Sequence, residues 1–196
     1  MSPALDKYLC KKYPKIFSER NMSPKVTCMC WGFPNDGWLF LIDELCHNIQ
    51  HHIDNPNWIQ NPKTKLFEKP KEPTCPQVVA SQVKEKFGGL RFYYSGGDEY
   101  VSALVNFAES MSYRICEDCG RMDETVSHNS KGWIRNTCEK CTPAEHLKDH
   151  KKVRDKKMVK ALERAKTSPK EDAFADMMKI VKRHKLFRKK KTNESK

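Results

Sequence analysis

The chain has 196 residues, 38% hydrophobic and 32% charged, which is enough to bury one moderate core and not two large ones. Its formal net charge of +12 is uneven: residues 143–196 hold 19 Lys and Arg against 8 Asp and Glu, and residues 1–142 hold 18 against 17. The longest apolar run, 38–42, is too short to cross a membrane, and the start, Met-Ser-Pro-Ala-Leu-Asp-Lys-Tyr, lacks the apolar segment of a secretion signal.

In chain order, residues 3–20 read as a first helix, with Leu5, Leu9 and Tyr13 at helical spacing and Pro14 bending or breaking it. Residues 21–34 read as a loop. Its Cys28 and Cys30 are expected to be small buried residues, since only one residue separates them and no partner pair is evident. Asp36 is the expected cap of the next helix, whose stripe is Trp38, Ile42, Leu45, Ile49 and Ile53. Asp43, His47 and His51 stand on its other side. Two His four apart can hold a metal, but without the Glu of a His-Glu-x-x-His pattern they read as a solvated polar face.

Residues 55–76 hold five of the eleven prolines and read as a long surface loop. Strand-like runs at 77–86 and 90–94, divided by Phe87-Gly88-Gly89, predict a hairpin. After Ser95-Gly96-Gly97, Asp98 can cap a helix with the stripe Tyr100/Val101, Leu104/Val105, Ala108 and Met111.

Cys116-Glu-Asp-Cys119 and Cys138-Glu-Lys-Cys141 form two C-x2-C pairs at the separation expected of a four-cysteine zinc site. Each pair on a tight turn aims two sulfurs at one point, and Gly120 supplies the freedom that the first turn needs. Trp133 and Ile134 are expected to form a short strand covering the metal. Four thiolates leave no open position for water, so one structural Zn²⁺ per chain is expected. Five cysteines remain: Cys10, Cys28, Cys30, Cys46 and Cys75. An odd remainder beside a zinc site argues for a reducing, cytosolic compartment.

Past Thr142, Pro143 is expected to open a helix running to about residue 166. A second, after Ser168-Pro169, carries Phe174, Met177, Met178 and Val181 on one face. Lys148, Lys151, Lys152, Arg154, Lys156, Lys157 and Lys160 cluster on the first, and Arg183, Lys185, Arg188, Lys189, Lys190 and Lys191 end the second. Such arrays neutralise phosphates and release counterions, so they bind nucleic acid without reading its sequence. A solubilising appendage is the alternative. The charge asymmetry and the neighbouring ribbon favour nucleic acid.

Gly37-Trp-Leu-Phe-Leu-Ile-Asp-Glu-Leu-Cys46, Gln82-Val-Lys-Glu-Lys-Phe-Gly-Gly-Leu-Arg-Phe-Tyr-Tyr-Ser-Gly-Gly-Asp-Glu99 and Cys116-Glu-Asp-Cys-Gly120 together resemble a family of small bacteriophage and prophage proteins. The similarity covers roughly residues 28–141. In that family the last zinc ligand can be His; Cys141 stands there in this chain. The resemblance implies a phage origin, a zinc-bearing α+β body and the cytoplasm of an infected bacterial host, and brings no activity with it.

Three stretches resemble catalytic patterns. Gly96-Gly97-Asp98-Glu99-Tyr100 resembles the signature of diguanylate cyclases, but a glycine turn with an aspartate cap accounts for it. Asp43 with Gln82-Val83-Lys84 loosely imitates restriction-type nucleases, and Lys84 and Lys86 read equally well as the solvent face of a strand. His128 ahead of the second cysteine pair, with His146 beyond it, is similar to the ββα-metal endonucleases. There Ser127-His128-Asn129-Ser130 lacks an acidic residue to hold Mg²⁺. His128→Ala would abolish Mg²⁺-dependent cleavage if that reading held, and no cleavage is expected.

The expected architecture is therefore α+β: a body at 1–112 with helices on a small hairpin, a zinc ribbon at 113–142 and a basic helical tail at 143–196. The expected function is non-enzymatic nucleic-acid binding, RNA or DNA, through the tail, with no membrane and no small-molecule substrate. The alternative is an interaction protein that inhibits or redirects a host factor. A chain ending at Thr142 is expected to fold.

Overall fold

A computed structural model describes residues 1–70, 72–129 and 132–152, the side chains of 148–152 excepted. Helix α1 (Pro3–Lys12) starts with proline at its first position, where the missing N–H costs nothing. It stops well before residue 20, because Pro14 disfavours helical backbone at Tyr13. The chain beyond it turns repeatedly and still delivers Ile16 and Phe17 to the core, Phe17 meeting Phe33 edge to face at 4.8 Å.

Helix α2 (Leu39–Asp54) buries Ile42, Leu45, Cys46, Ile49 and Ile53, the stripe that its periodicity predicts. Its entry differs from expectation. A 3₁₀ turn (Asp36–Trp38) precedes it, and the Asp36 carboxylate accepts from the Ser2 amide at 2.6 Å, so it pins the N-terminus and does not cap α2. On the outer side Asp43 is occupied by Lys12 Nζ at 2.8 Å and the Tyr13 hydroxyl at 2.8 Å. His47 and His51 are exposed, as a solvated face requires.

The proline-rich segment after α2 holds a small hairpin, β1 (Ile59–Gln60) with β2 (Phe67–Glu68), where only loop was expected. Strands β3 (Val79–Lys86) and β4 (Gly89–Ser95) form the predicted antiparallel hairpin. Lys86 pairs with Gly89 across a two-residue turn in which Phe87 (φ 55°) and Gly88 (φ 75°) are both left-handed. That geometry matches the twist of a hairpin, but it strains a bulky residue such as Phe87, whose side chain is exposed. Phe87→Asn is therefore expected to stabilise the fold by about 1 kcal/mol, read as a higher denaturation midpoint.

A register shift between Ala80 and Gln82 sets the two buried residues of β3, Ala80 and Val83, three apart. The bulged stretch is used. The Ala80 amide donates to the Ile16 carbonyl at 2.8 Å, and the Thr27 hydroxyl donates to the Ser81 carbonyl at 2.9 Å. Helix α3 (Glu99–Ser112) follows, its Val101 amide capped by Asp98 Oδ1 at 3.0 Å. Val101, Val105 and Ala108 face inward; Tyr100 is half exposed. The three helices and the β3–β4 hairpin enclose one core, with Trp38, Ile42, Ile49, Leu90 and Val101 fully covered.

A second, small sheet carries the cysteines: β5 (Ser127–Asn129), β6 (Asn136–Thr137) and β7 (His150–Lys152), in the order β6-β5-β7. Two expectations fail here. Trp133 and Ile134 are not in a strand, and Trp133 is 76% exposed. After Pro143 the chain makes a 3₁₀ helix (Ala144–Asp149) and then β7, not the start of a long α-helix. The open edge of β5 recruits a segment without strong preference of its own. The α+β class stands, and no helix among the described residues is long and apolar enough to cross a membrane.

Candidate metal centre

The four cysteine side chains converge. Their sulfur atoms all lie within 4.8 Å of one another, and Cys119 Sγ is 3.6 Å from Cys138 Sγ. A tetrahedron of thiolates with metal–sulfur bonds of about 2.3 Å has edges of about 3.8 Å. Cys116 and Cys138 are buried, Cys141 is half-buried and Cys119 is exposed. The group can hold a metal ion.

The first turn is closed by the Gly120 amide donating to the Cys116 carbonyl at 2.9 Å, with Gly120 at φ 73°, as its spacing predicts. The second has no glycine. The Thr142 amide donates to the Cys138 carbonyl at 3.0 Å and its hydroxyl to the same oxygen at 2.9 Å, while Thr142 and Thr137 hydroxyls meet at 2.8 Å. Burial raises the Cys119 thiol, but the Arg121 amide and the three neighbouring thiols outweigh it and draw it down to about 7. Burial pushes the Cys116 thiol up.

The centre is seated on the body by backbone contacts. The Gly37 amide donates to the Glu117 carbonyl at 2.9 Å, and Trp38 Nε1 donates to the Ile115 carbonyl at 3.3 Å. A Cβ at Gly37 would stand 2.2 Å from the Cys116 carbonyl oxygen. From the hairpin side, the Gly88 carbonyl accepts from Asn136 Nδ2, and Glu85 Oε2 accepts from Trp133 Nε1 at 3.1 Å. Gly37-Trp38 and Phe87-Gly88-Gly89 are therefore the two surfaces that the ribbon rests on.

Nothing in the sequence singles out Glu117, because no local pattern signals burial of a charged residue inside a C-x2-C pair. It is 1% exposed. Its Oε1 accepts from Arg135 Nε and from Asn35 Nδ2 at 3.2 Å, and its Oε2 has no hydrogen-bond partner among the described residues. Burial raises its pKa, and Arg135 offsets only part of that. Arg135 also reaches Asp118 Oδ1 at 2.6 Å. Glu117 and Arg135 line a cavity of about 580 Å³. Lys84 and the exposed Trp31 and Trp133 also line it.

The other expected residues fall as follows. His128 lies on β5 ahead of the second pair, as read from the sequence, and His146 sits in the 3₁₀ helix, 3.6 Å from Glu145. Among the described residues neither belongs to a group of three metal-ligating side chains. Cys28 and Cys30 sit in a 3₁₀ turn, half-buried, with Cys30 Sγ 3.5 Å from the Thr27 carbonyl. Lys148 lies in the 3₁₀ helix and Lys151 and Lys152 in β7. Arg154, Lys156, Lys157, Lys160, Arg183, Lys185, Arg188, Lys189, Lys190 and Lys191 lie outside the described residues, as does the stripe from Phe174 to Val181. Compared with known proteins, the chain matches no family model, no curated protein and no solved structure, so its chemistry has to be argued from its own residues.

Proposed function

We propose that the protein is a zinc-stapled nucleic-acid-binding protein that grips RNA or DNA through its basic C-terminal segment and performs no catalysis. The observation that carries this reading is where the basic segment begins. Near its start, His150–Lys152 pair with Ser127–Asn129 as the third strand of the cysteine-bearing sheet. Part of the segment that holds 19 Lys and Arg, residues 143–196, thus belongs to the cysteine-bearing sheet. Zinc is the metal that a closed four-thiolate set of this spacing selects. Trp31 and Trp133, 70% and 76% exposed beside Lys84, offer flat faces on which unpaired bases can stack. The resemblance to phage proteins supports an infected bacterial cell as the setting.

The test is the salt dependence of binding to single-stranded RNA and DNA oligonucleotides. Six phosphate contacts would cost about a thousandfold in affinity between about 50 and 200 mM salt. A chain ending at Lys152 keeps β7 and its sheet, unlike one ending at Thr142, and is expected to fold and lose most binding. Reversing the charges of Arg154, Lys156, Lys157 and Lys160 should flatten the salt slope similarly on every sequence. A shortened chain that binds as tightly as the whole would remove the tail as the gripping element. Absence of binding at low salt would replace this reading with that of a host-factor interaction protein, whose partner would survive nuclease treatment during purification.

A further inference from the structure

Three residues that no sequence motif connects meet where α2, the approach to β3 and the start of α3 come together. His52 is in the last turn of α2, Cys75 lies four residues before β3, and Asp98 is the cap of α3. Each offers one ligating atom, and the three atoms lie within 4.8 Å of one another. His52 Nε2 and Asp98 Oδ2 are 2.8 Å apart. Cys75 is 2% exposed, whereas the Asp98 side chain is 38% exposed, so the group is covered at the sulfur and open to solvent at the carboxylate.

The surroundings fix all three segments without help from an ion. Asp98 Oδ1 is held by the Val101 amide, which leaves Oδ2 for His52. The Gly97 amide donates to the Pro76 carbonyl at 3.0 Å, tying the Asp98 loop to the residue after Cys75. Gln50 and Gln77 exchange side-chain hydrogen bonds at 3.2 and 3.1 Å, which ties α2 to the same stretch. The His52 ring packs on Tyr100 with centroids 4.5 Å apart. Such anchoring of the ligands is what sets a metal site's geometry.

We propose that His52, Cys75 and Asp98 form a second metal site, which takes a divalent cation of the zinc class with solvent as its fourth ligand. One thiolate and one carboxylate balance the charge of the ion, and a neutral imidazole completes a nitrogen, sulfur and oxygen set that zinc accepts. Tetrahedral bonds of about 2.0–2.3 Å place donors about 3.3–3.8 Å apart, so the His52–Asp98 hydrogen bond opens by about half an ångström on binding. Three protein ligands and one open position distinguish this site from the closed four-cysteine centre.

The test is metal stoichiometry and Co²⁺ titration of the full-length, zinc-loaded protein. A second equivalent should bind, with a charge-transfer absorption from one thiolate. His52→Ala, Cys75→Ala and Asp98→Asn should each weaken that equivalent at least about tenfold and leave the first in place. Asp98→Asn is the decisive variant, because Asn caps a helix as well as Asp and the fold is kept. Binding of a single equivalent under excess metal would overturn the site. So would an Asp98→Asn chain with the parent's melting behaviour that takes the second equivalent unchanged, since His52 and Asp98 would then be a plain ion pair beside a buried thiol.

Discussion

Cys116→Ser, or exposure to a strong chelator, is expected to unfold the ribbon while the helical body stays folded. The reason is the smallness of what else holds the ribbon. Its own buried cluster is Cys116, Val126 and Cys138, with Cys141 packed against it, and its strands are two or three residues long. Structural zinc contributes an apparent stabilisation of about 10–16 kcal/mol in zinc-finger peptides, a scale that far exceeds what so small a cluster supplies. The body keeps a separate apolar core from Leu9 to Ala108. Limited proteolysis should therefore open new cleavage sites between residues 118 and 140 when the metal is removed, and metal analysis should fall by one equivalent per Cys116→Ser chain. Unchanged protection in chelator, or purified protein without metal at this centre, would contradict the assignment.

Gly37→Val is expected to cost about 4 kcal/mol or more, a loss larger than most single substitutions produce. The added Cβ alone would stand 2.2 Å from the Cys116 carbonyl oxygen and 2.6 Å from the Glu117 carbonyl carbon and oxygen. These are backbone atoms of the metal-bearing turn, so no flexible side chain can give way. On the facing stretch of chain, Gly120 also approaches the Gly37 carbonyl, a Cβ there falling 3.0 Å from its oxygen. Two backbones thus meet where side chains would separate them, and the Gly37 amide bond to Glu117 forms only at that distance. Gly37→Ala should lose about 3 kcal/mol by the same clash. Chemical denaturation of the metal-loaded protein measures both, with Trp38 fluorescence following the loss of its Ile115 contact. A Gly37→Val chain as stable as the parent would mean that the ribbon does not rest on this surface.

Much of this architecture was readable in the chain because its signals are local. The α2 stripe from Trp38 to Ile53, the Phe87-Gly88 turn, the Asp98 cap and the two C-x2-C turns each depend on residues within about one turn or one hairpin of each other. The four-cysteine centre was readable for a related reason, since a metal that demands four soft ligands leaves few other uses for that spacing. The functional reading stands on charge, which is also a sequence property: the basic segment is visible without any coordinates.

The tertiary structure decided the rest. Asp36 looked like a helix cap until the N-terminus, 34 residues away in sequence, came within 2.6 Å of it. Glu117 carries no signal in the sequence, and its burial follows from Asn35 and Arg135 meeting it across the fold. His150–Lys152 carries no strand pattern of its own and became one because β5 presents an unpaired edge. His52, Cys75 and Asp98 span 46 residues of chain and form a group only after α2, β3 and α3 have packed. Residue types and their spacing determined α2, α3, the β3–β4 hairpin and where four cysteines converge. Which polar groups meet across those elements is set by packing of the shared core, and no local pattern encodes that.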